Sequence, residues 1–287
     1  MASQTPAGPA PLALLAAAER AADTGAEILR EYFRSRDLRP EEKTRGDFVT
    51  RADKESERAI VESVLGEFPD HEILAEEGGL RESAAPDARG EPYRWIIDPL
   101  DGTANFMQGL PMFCISIACR RGDETLAAIV LEPLRDERFT AARGHGAFWN
   151  GRAMRTSERP GAAGSFLATG YPFRVKSSLD IYLEIFRALL LEARGIRRCG
   201  AAALDLAYTA AGVYDGFFVF RLSPWDIAAG VLLVREAGGV STDLDGGGGS
   251  LKSGNVLAGG AGVHRDLLST VARFAGEGAL DRHSPRG

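Results

Sequence analysis

Cysteine is scarce in this chain. Cys114, Cys119 and Cys199 are the three among 287 residues, and no two share the Cys-x-x-Cys spacing of a metal or redox motif. An odd, sparse set fits free thiols in a reducing compartment and excludes a disulfide framework. No apolar run approaches the roughly 20 residues that a membrane-spanning helix needs. The opening MASQTPAGPA lacks a basic region, and the LALLAAA run behind it is soon broken by Glu19, Arg20 and Asp23. No signal peptide is therefore expected, and the cytoplasm is the expected compartment. Positive charge is in deficit, 34 Lys and Arg against 40 Asp and Glu for a net charge of -6. Nucleic-acid binding normally draws on a concentrated basic face, so neither nucleic acid nor membrane is an expected partner. His71, His145, His264 and His283 have no zinc-type spacing. No Gly-x-Ser-x-Gly elbow occurs. The run Gly246 to Gly249 is not followed by the Lys-Ser/Thr of a phosphate-binding loop.

What is present describes an ordinary globular protein. Hydrophobic residues at 45% and charged residues at 26% suffice for a substantial core at this length. Residues 1–10 read as a frayed tail, and 11–280 as a single layered domain. Its N-terminal half spans about 11–155, and its C-terminal half about 160–275. Helical spacing runs from Pro11 to Arg36, with Leu12, Leu15, Ile28, Leu29 and Phe33 as apolar members. A second helix is expected from Asp53 to Leu65, preceded by a capping box between Thr50 and Asp53. HEILAEE, YRWIID, FCISIACR, TLAAIVLEP and ERFTAAR then read as strands, several of them buried on both faces. The second half reads as SFLATGYP strand, LDIYLEIFRALLLEA helix, AAALDLAYTAA helix and GFFVF strand. PWDIAAGVLLVREAGG helix, NVLAGG strand and RDLLSTVARF helix follow. Helices and sheets in stacked layers are the architecture this order implies.

The informative segment is Trp95-Ile96-Ile97-Asp98-Pro99-Leu100-Asp101-Gly102-Thr103. An apolar strand is expected to end at Asp98, since Pro99 has no N–H for a ladder. Gly102 permits a sharp turn, and a helix start near Thr103 would offer N–H groups of Gly102, Thr103 and Ala104 to an anion. Two carboxylates so close repel unless a cation lies between them. Oxygen ligands favour magnesium, and the Leu100 carbonyl is a further candidate. An isolated Asp-x-x-Asp-Gly would be a turn with a capping acid. Here two more acidic sites follow the same logic: Glu76 and Glu77 after an apolar run, and Asp226 in the first turn of an Ala/Gly-rich helix.

Together these motifs resemble the inositol monophosphatase family of magnesium-dependent phosphatases. WIIDPLDGTANF (Trp95 to Phe106) and PWDIAAGVLLVREAGG (Pro224 to Gly239) carry the resemblance, with Asp47 to Asp53 and the acid pair Glu76-Glu77 in order before them. It implies an α/β fold layered as an alternating α-β-α-β-α sandwich, of the sugar phosphatase and inositol monophosphatase type, and a homodimer. It implies two to three Mg2+ ions: Glu76, Asp98 and the Leu100 carbonyl at the first, Asp98, Asp101 and Asp226 at the second, and a weaker one near Glu76. Asp53 and Thr103 match the pair that orients or deprotonates the attacking water, with Glu76 as a third catalytic residue. The implied reaction is hydrolysis of a small phosphate monoester by metal-activated water.

The substrate side departs from that pattern. Asp101, Gly102, Thr103, Gly200, Ala201 and Ala202 match substrate-contacting positions, but Ala201 stands where a hydroxyl residue is common. Val219 stands where inositol phosphatases usually carry a glutamate for inositol hydroxyls. An apolar side chain accepts no such hydrogen bond. Arg221 is the candidate for a second anionic group, and Arg197 and Arg198 would raise the local potential. Inositol phosphate leads the substrate expectations. Fructose 1,6-bisphosphate, histidinol phosphate, nucleotide 3′-phosphates and NADP are alternatives, and a non-catalytic scaffold of the same fold is the remaining one.

Overall fold

The computed structural model describes residues 8–35, 37–44, 47–83, 91–171 and 179–274. The expected tail therefore lies outside the described residues except for 8–10, as do Arg36, the end of the domain beyond 274, and His283. Helix α1 (Pro11–Tyr32) opens with proline at its first turn and buries Leu14, Ala17, Ala18, Ala21, Ala22, Ala26 and Leu29 along one stripe. Strands β1 (Glu41–Thr44) and β2 (Asp47–Val49) form a small antiparallel pair. Helix α2 (Arg51–Glu67) follows at once, starting two residues before the expected Asp53. The Thr50 hydroxyl accepts from the Ala52 N–H, and the Asp53 carboxylate accepts from the Thr50 N–H at 2.9 Å.

Strands β3 (Glu72–Ala75), β4 (Gly79–Arg81), β5 (Tyr93–Asp101), β6 (Cys114–Arg121), β7 (Glu124–Glu132), β8 (Glu137–Ala142), β9 (Ala147–Trp149) and β10 (Arg152–Ala153) form one sheet, ordered β10-β9-β8-β7-β6-β5-β3-β4. The short helix α3 (Thr103–Met107) leaves the end of β5. The Arg121–Glu124 turn joins β6 to β7. Odd and even residues of the central strands face opposite ways. Trp95, Ile97, Ile115, Ile117 and Ile129 pack under α1 and α2. Ile96, Ala118, Ala128 and Val130 pack on the other side against α5 (Ala202–Ala210) and α6 (Pro224–Glu236).

A second sheet lies beyond those two helices, ordered β12-β11-β13-β15-β14 from β11 (Phe166–Thr169), β12 (Gly195–Arg197), β13 (Gly216–Val219), β14 (Val240–Thr242) and β15 (Val256–Gly259). Ala168, Phe217, Val219, Val256 and Ala258 face α5 and α6. Leu167, Phe218 and Leu257 face α4 (Leu179–Glu192) and α8 (Ala261–Phe274). Helix α7 (Ser250–Ser253) is a single turn before β15. The layers are thus α-β-α-β-α. The central helices touch closely: a Cβ on Gly230 of α6 would come within 2.4 Å of Leu206 of α5.

Strand β5 corrects one expectation, because it does not stop at Asp98. It continues to Asp101, with Asp98 opposite Ser116 and Asp101 opposite Cys114. Two residues on β5, Pro99 and Leu100, therefore face one on β6, Ile115, a bulge around the proline that cannot donate to the ladder. On a regular strand, residues three apart point to opposite faces. The extra residue brings Asp98 and Asp101 back to the same side.

Candidate active site

The two sheets and the central helices meet at a cavity of about 210 Å³. Its lining includes Glu76, Asp98, Leu100, Asp101, Gly102, Thr103, Gly200, Ala201, Ala202 and Asp226, which sequence reasoning had assigned to four separate stretches. Asp98, Asp101 and Asp226 each contribute a carboxylate oxygen within 4.8 Å of the others, and all three are buried.

Local structure fixes each acid. Asp98 accepts from the Leu100 N–H at 3.0 Å across the bulge. Asp101 accepts from the Ala203 N–H at 2.7 Å, at the start of α5, and the Cys114 thiol lies 3.7 Å from the same oxygen. Asp226 is the third residue of α6 and accepts from the Ser223 N–H at 2.8 Å. Gly102 turns the chain at φ 98°, and a Cβ there would meet the Met112 carbonyl at 2.9 Å. Glycine is required on both counts.

Crowding shows in the protonation equilibria. Burial raises the Asp98 carboxyl well above its ordinary value, and the charges of Glu76, Asp101 and Asp226 add to this. Asp101 is pushed up to about 8 by burial and then by Asp226, against the N–H groups of Ala203 and Ala202. Three buried acids at this spacing ionise together only with a cation among them.

Glu76 lines the same cavity but stands outside that tight group. Its Oε1 accepts from Lys43 Nζ at 3.1 Å, and the same ammonium reaches Glu77 Oε1 at 2.5 Å. Burial raises Glu77 to about 7, with Lys43 opposing. The Glu77 N–H donates to Glu57 Oε2 at 2.8 Å. Lys43, on the β1–β2 hairpin, had no sequence signal because that polar hairpin shows no periodicity.

Asp53 is buried beneath the cavity. Its Oδ2 accepts from the Thr50 hydroxyl at 2.5 Å, and its Oδ1 from the Thr103 hydroxyl at 3.0 Å. Burial raises its carboxyl to about 6, against the hydrogen bonds of Thr50 and Thr103. The capping role and proximity to Thr103 are thus properties of one side chain.

Arg221 is not brought to the site. It follows β13 at φ 63°, its N–H donates to Asn255 Oδ1 at 3.1 Å, and it does not line the cavity. Arg198 lines it instead, its guanidinium 5.1 Å from the centre of the Tyr171 ring. Val219 lines the cavity as an apolar wall. Asp205 also lines it and was missed. The available signal was a lone carboxylate inside the apolar stretch AAALDLAYTAA. Among the described residues, no helix is long and apolar enough to cross a membrane.

Layered fold and acid-lined cavity define a class, and comparison with known proteins agrees. A model of the inositol monophosphatase family matches residues 12–277, and the chain belongs to that family. It is 46% identical over 261 residues to a protein of Pseudomonas aeruginosa named Nus factor SuhB, covering 90% of this chain and 95% of the relative. Among solved structures, extragenic suppressor protein suhB from Bartonella henselae superposes with a TM-score of 0.85 at 37% identity, covering 91% of this chain and 99% of that one. Inositol monophosphatase from Anabaena (Nostoc) superposes with a TM-score of 0.78 at 33% identity, covering 93% and 98%.

Proposed function

We propose that the protein hydrolyses a small soluble phosphate monoester with two to three magnesium ions at this cavity. The observation that carries the reading is the convergence of Asp98, Asp101 and Asp226 within 4.8 Å in buried surroundings. The donor set suits the ion, being carboxylate and carbonyl oxygen with no thiolate or imidazole. Glu76, Asp98 and the Leu100 carbonyl would hold one ion, Asp98, Asp101 and Asp226 a second, and Glu76 a weaker third. When bound, such ions neutralise phosphate charge and make water more acidic.

The chain's own residues orient the water and handle its proton. Thr103 Oγ1 lies within reach of both Asp53 Oδ1 and the Leu100 carbonyl, at 3.0 and 3.1 Å. As Thr103 passes its proton to Asp53, its oxygen accepts one from the attacking water. A carboxyl near 6 is suited to that exchange around neutral pH. Gly102, Thr103 and Ala104 border the space for the phosphate, and Gly200, Ala201 and Ala202 the space for the alcohol half. Inositol phosphate leads as substrate, ahead of a bisphosphate or one of the other esters, and the protein acts as a cytoplasmic homodimer. Phosphate release should be measured from inositol phosphates, fructose 1,6-bisphosphate, histidinol phosphate and phosphorylated nucleotides, at roughly millimolar Mg2+. Absence of release from all of them sinks the reading.

The name of the Pseudomonas relative favours a second reading, a role in transcription, at 46% identity. Transcription in vitro with wild type and with Asp98→Asn would separate the two. An effect surviving in the variant makes the roles independent, and no effect with either protein removes the second.

A further inference from the structure

A second cavity, of about 520 Å³, lies on the sheet face that carries α6 and shares no lining residue with the acid-lined one. That volume falls in the range of small-molecule sites, about 300–1,000 Å³. Two arginines line it, Arg94 and Arg120, and they stand directly opposite one another on β5 and β6. Like charges in that relation repel.

The two are not equally neutralised. Arg94 donates from Nε and Nη2 to Glu72 Oε2, at 2.8 and 2.6 Å. The Arg120 side chain is 19% exposed, and among the described residues its one counter-ion is Asp123, 3.9 Å from Nη2. Asp123 and Glu91, the two acids at the cavity, are both exposed to water. An exposed pair contributes about 0–1 kcal/mol. Arg120 Nε is enclosed and has no hydrogen-bond partner, whereas Nη1 and Nη2 are not enclosed and are the groups a ligand can reach. Burial lowers the Arg120 guanidinium from its ordinary value; Asp123 opposes this, and the charges of Arg94 and Arg235 add to it. Arg235, on α6, donates to the Ser241 carbonyl at 3.1 Å and has no ion pair with a described residue. Three guanidinium groups thus act on one another against one buried carboxylate, Glu72. In a chain of net charge -6 that is a local excess of positive charge.

We infer that this cavity is an anion site, in which Arg94 and the terminal nitrogens of Arg120 bind the phosphoryl group of inorganic phosphate or of a small phosphate monoester. A guanidinium offers paired N–H donors in a fixed fork that matches phosphate oxygens. Leu74 and Ile96, on the paired strands β3 and β5, supply a rigid apolar wall for an organic half. The site goes beyond the phosphatase reading and does not depend on it.

The test is calorimetric titration of the full chain with inorganic phosphate and with phenyl phosphate, in EDTA at about 0.15 M ionic strength. With metal withheld, the acids of the catalytic cavity repel both probes, so binding reports on the second cavity. Wild type should bind, and Arg120→Gln should weaken binding about tenfold, or about 1.4 kcal/mol. Arg265→Gln, which removes the same charge from the exposed surface of α8, should bind as wild type does. Since its neighbours repel Arg120, phosphate-free Arg120→Gln should melt at or above the wild-type temperature, where a purely structural arginine would leave a lower one. Tighter binding of inorganic phosphate names the free ion as the ligand, and tighter binding of phenyl phosphate names a monoester. No binding of either probe by wild type overturns the inference, as does equal binding by wild type and Arg120→Gln. Equal weakening by Arg120→Gln and Arg265→Gln also overturns it, being an effect of net charge. If Arg120→Gln does not fold by circular dichroism, Arg120→Lys, which keeps the charge and loses the fork, is read by the same criteria with a weakening of about threefold.

Discussion

The Thr103 hydroxyl lies 3.0 Å from Asp53 Oδ1, joining the start of α3 to the first turn of α2 across 50 residues of sequence. Asp53 is held from its other oxygen by Thr50, so its position is fixed before any substrate arrives. Thr103→Val keeps the shape and removes the hydroxyl. It should lower kcat about 100-fold, the low end of the range for a proton-transfer group. Thr103→Ser should retain most of the activity. Thermal melts should move little for either variant, since Asp53 keeps both bonds to Thr50. A Thr103→Val enzyme of wild-type kcat would remove the pair from the chemistry.

The acid cluster predicts opposite effects on stability and on metal response. Asp98 is buried and faces the charges of Glu76, Asp101 and Asp226. Asp98→Asn removes one of the repelling groups, so metal-free Asp98→Asn should melt at or above the wild-type temperature. Wild type should gain stability on adding magnesium by ligand linkage, and the variant should not. Calorimetry showing equal magnesium shifts would place the metal elsewhere.

Arg198 and Arg221 can be set against each other. Arg198 lines the cavity and Arg221 does not. Arg198→Ala should therefore raise KM several-fold for a bisphosphate and less for a monophosphate, because a guanidinium attracts the second anionic group. Arg221→Ala should treat the two substrates alike. Reversed results would return the role to Arg221.

His71 gives a stability prediction away from the site. It stacks between Phe68 and Tyr93 at 4.5 and 4.8 Å, and its Nδ1 accepts from Trp95 Nε1 at 3.0 Å. Burial lowers it from 6.5 to about 4. Above 6.5 the ring is neutral in both folded and unfolded chains. Between 6.5 and 4 only the unfolded chain takes the proton, so acidification through that window destabilises the fold. Below 4 both states carry it and the loss stops growing. Denaturant melts across this range should show a shallower slope for His71→Gln. An unchanged slope would assign the acid sensitivity to other groups.

Elements with a strong period were legible in the sequence. Helix α1 and the runs that became β5, β6 and β7 announced themselves through spacing alone, but the buried face of α1 is an alanine stripe with Leu14 and Leu29, whereas Leu12 is exposed. Strands β4, β9, β10, β12 and β14 have two or three residues each, too few to show an alternation. The bulge in β5 was half visible: Pro99 marked the interruption, but its resolution into a continued strand depended on the partner β6. Arg221 was the sequence candidate for a second anionic group and Arg198 only a contributor to local potential, because nothing in the local spacing tells which of the two lines the cavity. Backbone direction after β13 distinguishes them.

The amino-acid sequence by itself determined the layers, the capping box at Thr50 and Asp53, and the identity of the acids, because these depend on local spacing and side-chain chemistry. Only the tertiary structure decided that Asp98, Asp101 and Asp226 approach within 4.8 Å, that Lys43 reaches Glu76, and that Arg198 lines the cavity. Those relations are made by packing two sheets against α5 and α6, where residues distant along the chain become neighbours. No periodicity within a single segment encodes that meeting.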